Sequence, residues 1–155
     1  MVVSLGALGA DTQLSLDVVP TFQLRQDVYE NLSLASAVSQ FDDIQRMAYS
    51  VSLFTDWQHD RFTQVWLKRE VDASAERELF GAKLATANVH PLPGHSAESC
   101  TEQMGVPGPW CDRLPHFRMA FTPSSGAELQ SEYFVPYAHA GDALQALMRI
   151  GAGIA

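Results

Sequence analysis

Apolar and polar side chains alternate along the first patterned stretch of the chain. Over residues 14–24 the apolar side chains take even positions, while most odd positions are polar. Alternation of this kind places the two sets of side chains on opposite faces of an extended backbone. The pattern therefore predicts a half-buried strand that is bent at Pro20, since proline cannot donate a hydrogen bond to a neighbouring strand.

The same period of two returns twice in the middle of the chain. It runs through residues 49–57 and again through residues 62–68, and the polar segment 58–61 separates the two runs. Two alternating runs joined by a short polar segment are typical of a β-hairpin. We therefore expect these two strands to pair with each other in an antiparallel manner.

Three other stretches follow the spacing of a helix. Apolar residues three and four positions apart predict a helix over residues 36–48, with Ser36 or Ser39 as its N-terminal cap. A short helix is expected over residues 73–81, because a glycine ends that stretch. The last helix is predicted over residues 138–150, whose apolar side chains form one face.

A further alternating stretch covers residues 127–135 and ends at Pro136. One face of this predicted strand is polar and carries Glu128, Gln130 and Glu132. Carboxylates and an amide in a row can border a cleft, or they can form the solvated face of a sheet. Periodicity alone favours the solvated face.

Residues 90–115 hold five of the eight prolines, so this segment cannot form a continuous helix or strand. Ordered loops of this length are usually functional or cover another part of the domain. Because the predicted strands are one-sided and joined as hairpins, the expected fold class is α+β. We expect an antiparallel sheet with helices packed on one face and a long proline-rich loop, and not a doubly wound parallel sheet.

Composition places the chain among folded single domains. It has 155 residues, of which 46% are hydrophobic and 18% are charged. The formal net charge of −8 and the lack of a basic run argue against nucleic acid and against an anionic membrane surface as partners. No stretch is apolar enough to predict a membrane span, and residues 1–10 lack the positive start of a secretory signal. With only two cysteines the chain is expected to be cytoplasmic.

Short motifs give little evidence of catalytic chemistry. The residues that could bind a metal match no zinc spacing, so no metal ligands are assigned among His90, His95, Cys100 and Cys111. The glycine pairs at 6 and 9 and at 151 and 153 do not open a helix after a strand, which a dinucleotide fingerprint requires. Residues 124–126 do not form a nucleophile elbow.

Longer runs of sequence are more informative than these motifs. They are Ser4-Leu-Gly-Ala-Leu-Gly9, Tyr49-Ser-Val-Ser-Leu-Phe-Thr-Asp-Trp57, Gln64-Val-Trp-Leu-Lys-Arg69, Cys100-Thr-Glu-Gln-Met-Gly-Val-Pro-Gly-Pro-Trp110, Arg113-Leu-Pro-His-Phe-Arg118 and Phe121-Thr-Pro-Ser-Ser-Gly-Ala-Glu-Leu-Gln-Ser-Glu-Tyr133. Together they resemble bacterial alditol (xylitol) oxidases, which are similar to D-arabinono-1,4-lactone oxidase and to other FAD enzymes of the vanillyl-alcohol-oxidase type.

The resemblance implies that only the central part of such an enzyme is present. On that basis residues 1–12 are the end of an FAD-binding domain, and residues 13–155 are the substrate (cap) domain. The family oxidises a polyol carbon with FAD and reoxidises the flavin with O2 to give H2O2. None of the family's main catalytic residues has a counterpart here. No catalytic residue is therefore assigned, and FAD is expected in the full-length protein but not on this chain alone.

The resemblance assigns two groups of site residues. Ser4, Gly6 and Gly9 match a segment close to the FAD, where small residues let the backbone approach a cofactor. The cap strand of the family corresponds to Gln130, Glu132 and Tyr133, which are candidates for the substrate side.

Some residues depart from the family pattern. An acidic Asp11 suits a pyrophosphate poorly, Cys111 stands where histidine is common, and Tyr137-Ala138 replaces a charged pair. These departures point to a truncated or frameshifted gene product, or to an excised domain.

Three functional hypotheses follow. The first is a cap domain without activity of its own, which associates with itself through the surface that would face the FAD domain. The second is a non-enzymatic module that binds a small polyhydroxylated ligand or a protein through the polar row and the proline-rich loop. The third is an enzyme assembled with a separate flavin domain, and it ranks lowest.

Overall fold

The chain folds around an antiparallel sheet whose two longest strands pair at its centre. In the computed structural model, residues 9–10, 12–72, 75–121 and 130–153 are described. Within these ranges the six strands are β1 (Gln23–Ser33), β2 (Ser50–Phe54), β3 (Arg61–Glu70), β4 (Glu78–Leu79), β5 (Ala82–Leu84) and β6 (Gly108–Pro109). The helices are α1 (Leu34–Ser39), α2 (Phe41–Arg46), α3 (Trp110–Arg113) and α4 (Ala140–Ile150), and 3-10 turns cover Ala97–Ser99, Tyr137–His139 and Gly151–Gly153.

Strand order in the sheet is β2-β3-β1-β5-β4, and β6 pairs with the first residues of β1. The register places Trp66 of β3 opposite both Val28 of β1 and Ser52 of β2. Because residues directly opposite each other share a face, this register decides which side chains lie together above and below the sheet.

One face of the sheet is covered by α1, α2 and α4. Ala37 of α1 and Ile44 of α2 are fully buried in one cluster with Val65 and Leu67 of β3, and Leu144 of α4 packs against this cluster. The helices bring apolar side chains to the apolar side of the strands, so this face forms the main hydrophobic core. The predicted α+β class with an antiparallel sheet is confirmed.

The opposite face is covered by residues 85–121, which we call the loop layer. A second apolar cluster lies between this layer and the sheet, and its buried members are Val28, Trp66, Ala85 and Cys100. Within the layer a bridge pairs Cys100 with Phe117. The proline-rich segment 90–115 lies within this layer, so the domain has three layers: helices, sheet and loop.

Two predicted elements are confirmed, and the first predicted helix is divided. The hairpin forms as β2 and β3, and the last helix forms as α4. The helix expected over residues 36–48 is instead two short helices, because the backbone leaves helical geometry at Gln40. Its N-terminal cap is Ser33, whose hydroxyl accepts from the Ser36 amide at 3.0 Å, so the predicted caps Ser36 and Ser39 were wrong.

The strand predicted over residues 14–24 is wrong for most of its length. Only its last two residues belong to β1, while Leu16 and Val18 are 78% and 93% exposed. Both sides of β1 are occupied, by β3 on one side and by β5 and β6 on the other. Among the described residues no strand is placed to pair with residues 14–22, so the alternating pattern there is not used within this domain.

Two other predictions also fail in the described part of the chain. Residues 78–84 form the β4–β5 hairpin and not the end of a helix, since Phe80 and Gly81 both have positive φ, 47° and 95°. Two successive residues with positive φ are typical of the tight turn that joins hairpin strands. Residues 130–135 form no strand, and residues 127–129 of the same predicted strand lie outside the described residues.

The contact between α4 and the β2–β3 turn gives a test of this fold. A Cβ atom on Gly151 would lie 2.4 Å from the carbonyl oxygen of Trp57, whereas a Cβ on Gly153 would meet nothing within 4 Å. We expect Gly151→Ala to lower the free energy of unfolding by about 1–3 kcal/mol, because backbone must move to admit the methyl group. Gly153→Ala is the matched control, with a change within about 0.5 kcal/mol. Urea denaturation measures both, and equal effects would contradict this packing.

Candidate functional site

Polar side chains are buried on the sheet face that the loop layer covers. Gln26 of β1 and Lys68 of β3 lie directly opposite each other, and Gln64 lies farther along β3 on the same face. Gln26 and Lys68 are 0% and 1% exposed, respectively. A buried polar group is costly unless it finds a hydrogen-bond partner, so these side chains constrain what can cover them.

The loop layer supplies most of these partners from its backbone. Gln64 Nε2 donates to the carbonyl oxygen of His90 at 2.7 Å, and Trp66 Nε1 donates to Gln64 Oε1 at 2.8 Å. Thr101 Oγ1 donates to Gln26 Oε1 at 3.2 Å. A sheet side chain thus donates to a carbonyl of the loop, in a segment whose prolines cannot donate ladder bonds.

Lys68 is the most unusual of the buried groups. Its ammonium donates to the carbonyl oxygens of Leu114 and Pro115, the latter at 2.8 Å. Its cross-strand neighbours, Gln26 and Ser50, are neutral. Within the described part of the chain no carboxylate forms an ion pair with Lys68. Burial away from water therefore lowers the pKa of Lys68 to about 8.

His116 follows these two carbonyls in the chain and reaches the next strand. Its Nε2 lies 2.8 Å from the Ser52 hydroxyl oxygen, and its ring packs 5.5 Å from Trp66 and 5.7 Å from Phe54. Burial lowers the pKa of His116, and the nearby charge of Lys68 lowers it further. The imidazole is therefore held in its neutral form at neutral pH.

An open cleft of about 320 Å³ lies on the outer side of the loop layer. Two carboxylates and two guanidinium groups line it, together with apolar side chains; the charged members are Glu102, Asp112, Arg113 and Arg118. Phe117 and Met119 supply apolar wall. This lining is formally neutral and offers both donors and acceptors, which suits a small polar ligand without net charge.

Both arginines of the cleft are fixed by backbone carbonyls. Arg118 Nε donates to Cys100 O at 2.8 Å, and its Nη2 donates to Glu102 Oε2 at 3.2 Å. Arg113 donates to Val106 O and Pro107 O at 3.1 and 3.0 Å. The cleft is thus preorganised, since its longest side chains are already held in place.

A second buried polar cluster lies at the edge of the helix-covered face. Asp27 Oδ2 lies 3.5 Å from Arg25 Nη2 and 3.7 Å from Arg69 Nη1, and Arg69 and Asp27 are almost fully buried. The Tyr29 hydroxyl donates to Glu76 O at 2.8 Å, and desolvation raises the pKa of this phenol. This ion cluster joins β1 to β3 where the apolar core ends.

The site residues predicted from the sequence do not line the cleft where they are described. Gly9 is exposed with φ of 109°, while Ser4 and Gly6 lie outside the described residues. Gln130 and Glu132 are exposed, and Tyr133 is 85% exposed. Their assignment to flavin and substrate remains a prediction.

The four residues considered as metal ligands lie in different surroundings. The rings of His90 and His95 stack at 5.1 Å, whereas Cys100 is buried under the loop layer and Cys111 is exposed on α3. Both cysteines are free thiols. Among the residues that the structure describes, no three potential ligands are grouped to hold a metal ion.

Sequence reasoning missed Lys68 and His116 as functional candidates. The available signal was the position of Lys68 in an alternating strand, on the same parity as the large apolar Trp66. A charged residue at such a position is either solvated or buried with specific partners, and only the tertiary structure distinguishes the two cases.

Comparison with known proteins finds a similar enzyme. The chain is 54% identical over 149 residues to alditol oxidase from Streptomyces sp. (strain IKD472 / FERM P-14339). This match covers 96% of the chain but spans only 35% of the length of that relative. No protein-family model matches. The resemblance to alditol oxidases is therefore confirmed, for a stretch about a third as long as the oxidase. In the described ranges no helix is both long and apolar enough to cross a membrane.

The buried ammonium of Lys68 predicts an unusual dependence of stability on pH. Its folded pKa of about 8 lies below the ordinary 10.5, so between these values the unfolded chain binds a proton that the folded chain does not. The free energy of unfolding should therefore rise with pH, by about 2 kcal/mol from pH 8 to pH 10.

Urea denaturation at the two pH values measures this contribution as a difference between variants. Lys68→Met should lose the increase, and Lys83→Met, which removes an exposed lysine, should retain it. The same increase in both variants would show that Lys68 is not its source.

Proposed function

We propose that this chain is the substrate-side (cap) part of an FAD-dependent alditol oxidase and has no oxidase activity by itself. The observation that carries the proposal is the 54% identity, which extends over 96% of the chain. Within it, residues 1–12 would be the end of the flavin domain and residues 13–155 the cap domain. The complete enzyme would oxidise a polyol CH–OH group with O2 and release H2O2.

The described residues do not form an FAD site on their own. Gly9 is exposed, and nothing lies within 4 Å of the position that a Cβ atom would take there. No described helix follows a strand through a glycine-rich turn, the arrangement that holds a dinucleotide pyrophosphate. Ser4, Gly6 and Gly9 remain the predicted contacts of this chain with FAD, and the rest of the flavin site is assigned to polypeptide outside it.

Exposed apolar side chains support the presence of a further protein surface. Leu16, Val18, Tyr133 and Phe134 are each between 72% and 93% exposed. Apolar surface of this kind is commonly covered by a partner. In the complete oxidase the rest of the enzyme would cover it, and in the isolated chain a second copy would do so.

The cleft favours a second candidate function, the binding of a small polyhydroxylated ligand without chemistry. Sugars and polyols present many hydroxyl groups. A carboxylate can accept a hydrogen bond from such a hydroxyl, and a guanidinium group can donate one to it. Glu102, Asp112, Arg113 and Arg118 provide both kinds of group, and Phe117 provides an apolar wall. The predicted polar row at Gln130 and Glu132 does not line this cleft.

A chimera tests the first proposal. In the Streptomyces alditol oxidase, the matched segment of 149 residues would be replaced by the corresponding residues of this chain. We expect the chimera to oxidise xylitol or sorbitol and to produce H2O2, because the flavin and its surroundings come from the remaining two thirds. The isolated chain with added FAD is expected to stay colourless and to consume no O2. An inactive but folded, flavin-loaded chimera would contradict the proposed role, and O2 consumption by the isolated chain would contradict its inactivity.

Calorimetry on the isolated chain tests the second candidate. Xylitol should bind, whereas 1,5-pentanediol, which lacks vicinal hydroxyl groups, should not. Asp112→Asn should weaken binding by about threefold to tenfold, because a charged acceptor becomes an amide. Asp142→Asn, at an exposed carboxylate on α4, is the matched control. Absence of measurable heat with xylitol would remove this candidate and leave the first proposal standing.

A further inference from the structure

The loop layer is held to the sheet at one point by two groups that can both carry positive charge. The Lys68 ammonium donates to Leu114 O and Pro115 O, and the next residue, His116, bonds to Ser52. Three consecutive loop residues are thus attached to β3 and β2. The same segment is paired inside the loop layer, where Thr101 N donates to His116 O at 3.0 Å.

The strand side chains that face this point are neutral apart from Lys68. From β1, β2 and β3 they are Gln26, Ser50, Ser52, Phe54, Gln64 and Trp66. Glu70, the next residue of β3 on the face of Lys68, is exposed at the end of the strand. From the loop layer come the Cys100 thiol, the Glu102–Arg118 pair, Asp112 and Arg113 just before Leu114, and the His90 ring, which lies 5.6 Å from the Phe117 ring. Burial raises the pKa of the thiol, so it stays uncharged, and the Glu102 carboxylate is paired with Arg118 at 3.2 Å.

A proton on His116 would therefore place a second positive charge next to Lys68 in a poorly solvated layer. Lys68 is itself charged below pH 7, because its pKa is about 8. The imidazole titrates below its ordinary value of 6.5 while the loop is in place, as burial and Lys68 require. Once the loop is lifted into water, the same ring binds a proton with an ordinary pKa. Acid therefore favours the lifted state.

We propose that His116 and Lys68 form a pH-sensitive latch that releases residues 114–118 from the sheet in mild acid. In neutral solution the uncharged imidazole lets the segment lie on β2 and β3. Protonation of His116 beside the Lys68 ammonium repels the segment and lifts it. Pro115, Phe117 and Arg118 line the cleft, so release of the latch also removes part of the cleft wall.

Cys100 reports directly on this event, because it is 1% exposed beneath the loop layer. Cys111→Ser leaves Cys100 as the sole thiol of the full chain. Its rate of reaction with 4,4′-dithiodipyridine would be measured from pH 7.5 to pH 5. At each pH the reaction rate of Cys100 in the urea-unfolded chain is divided by its rate in the folded chain. This ratio is a protection factor, and it cancels the effect of pH on the reactivity of the thiol itself. We expect the protection factor to fall up to tenfold per pH unit below about 6.5, as release linked to one proton requires.

Two variants in the same background separate the latch from other effects of acid. His116→Gln keeps an amide that can bond to Ser52 but does not titrate, and its protection factor should not change with pH. His59→Gln removes an exposed histidine that bonds to Asp56, and it should behave like the parent. An equally steep fall in His116→Gln would overturn the proposal.

Two further measurements decide the matter even if His116→Gln fails to fold. NMR should show that the ring of His116 titrates with a midpoint below pH 6.5, and that this midpoint moves to higher pH in Lys68→Met. A midpoint at or above 6.5 in the parent would overturn the latch. Far-UV circular dichroism should remain native over the range in which Cys100 becomes reactive. If the sheet signal is lost together with protection, the chain unfolds as a whole and the latch is again overturned.

Discussion

Lys68 brings an ammonium group into a sheet interior where water cannot solvate it, and much of the loop layer is arranged around that group. Its protons need acceptors, and the opposite residues on β1 and β2 are neutral. The carbonyl oxygens of Leu114 and Pro115 meet this need. Because they do, His116 comes to Ser52 and Phe117 reaches the apolar cluster around Trp66. One desolvated charge thus fixes a segment of chain that has little regular structure of its own.

The outer cleft depends on the same anchoring. Phe117 and Arg118 follow His116 directly, so the positions of one apolar wall and one guanidinium are set by bonds on the inner side of the layer. Arg118 then fixes Glu102. Ligand-facing groups on the surface are therefore supported by buried polar contacts beneath them, which is how a binding site on a loop can be held rigid.

Sequence patterns identified the elements whose partners are close in the chain. The β2–β3 hairpin and α4 could be predicted because alternation and helical spacing are local signals. Residues 14–22 carry an equally clear strand pattern, yet β1 already has neighbours on both sides, and such occupancy is a tertiary property. Gly81 was ambiguous in another way, since a glycine ends helices and also forms tight turns. Lys68 and His116 lie far apart in sequence and could not be paired by spacing.

In the hydrogen bonds between sheet and loop, the sheet contributes side-chain atoms and the loop contributes mainly backbone atoms. Lys68 and Gln64 contribute particular side chains, but Leu114, Pro115 and His90 contribute only carbonyl oxygens, which every amino acid possesses. The amino acids of the strands, and not those of the loop, therefore determine where these parts of the loop are bound. At positions 90, 114 and 115 many amino acids are compatible with these bonds, because the bonds use only the backbone carbonyl. Related chains could therefore differ in the ligand that the loop layer prefers and still attach that layer to the sheet in the same way.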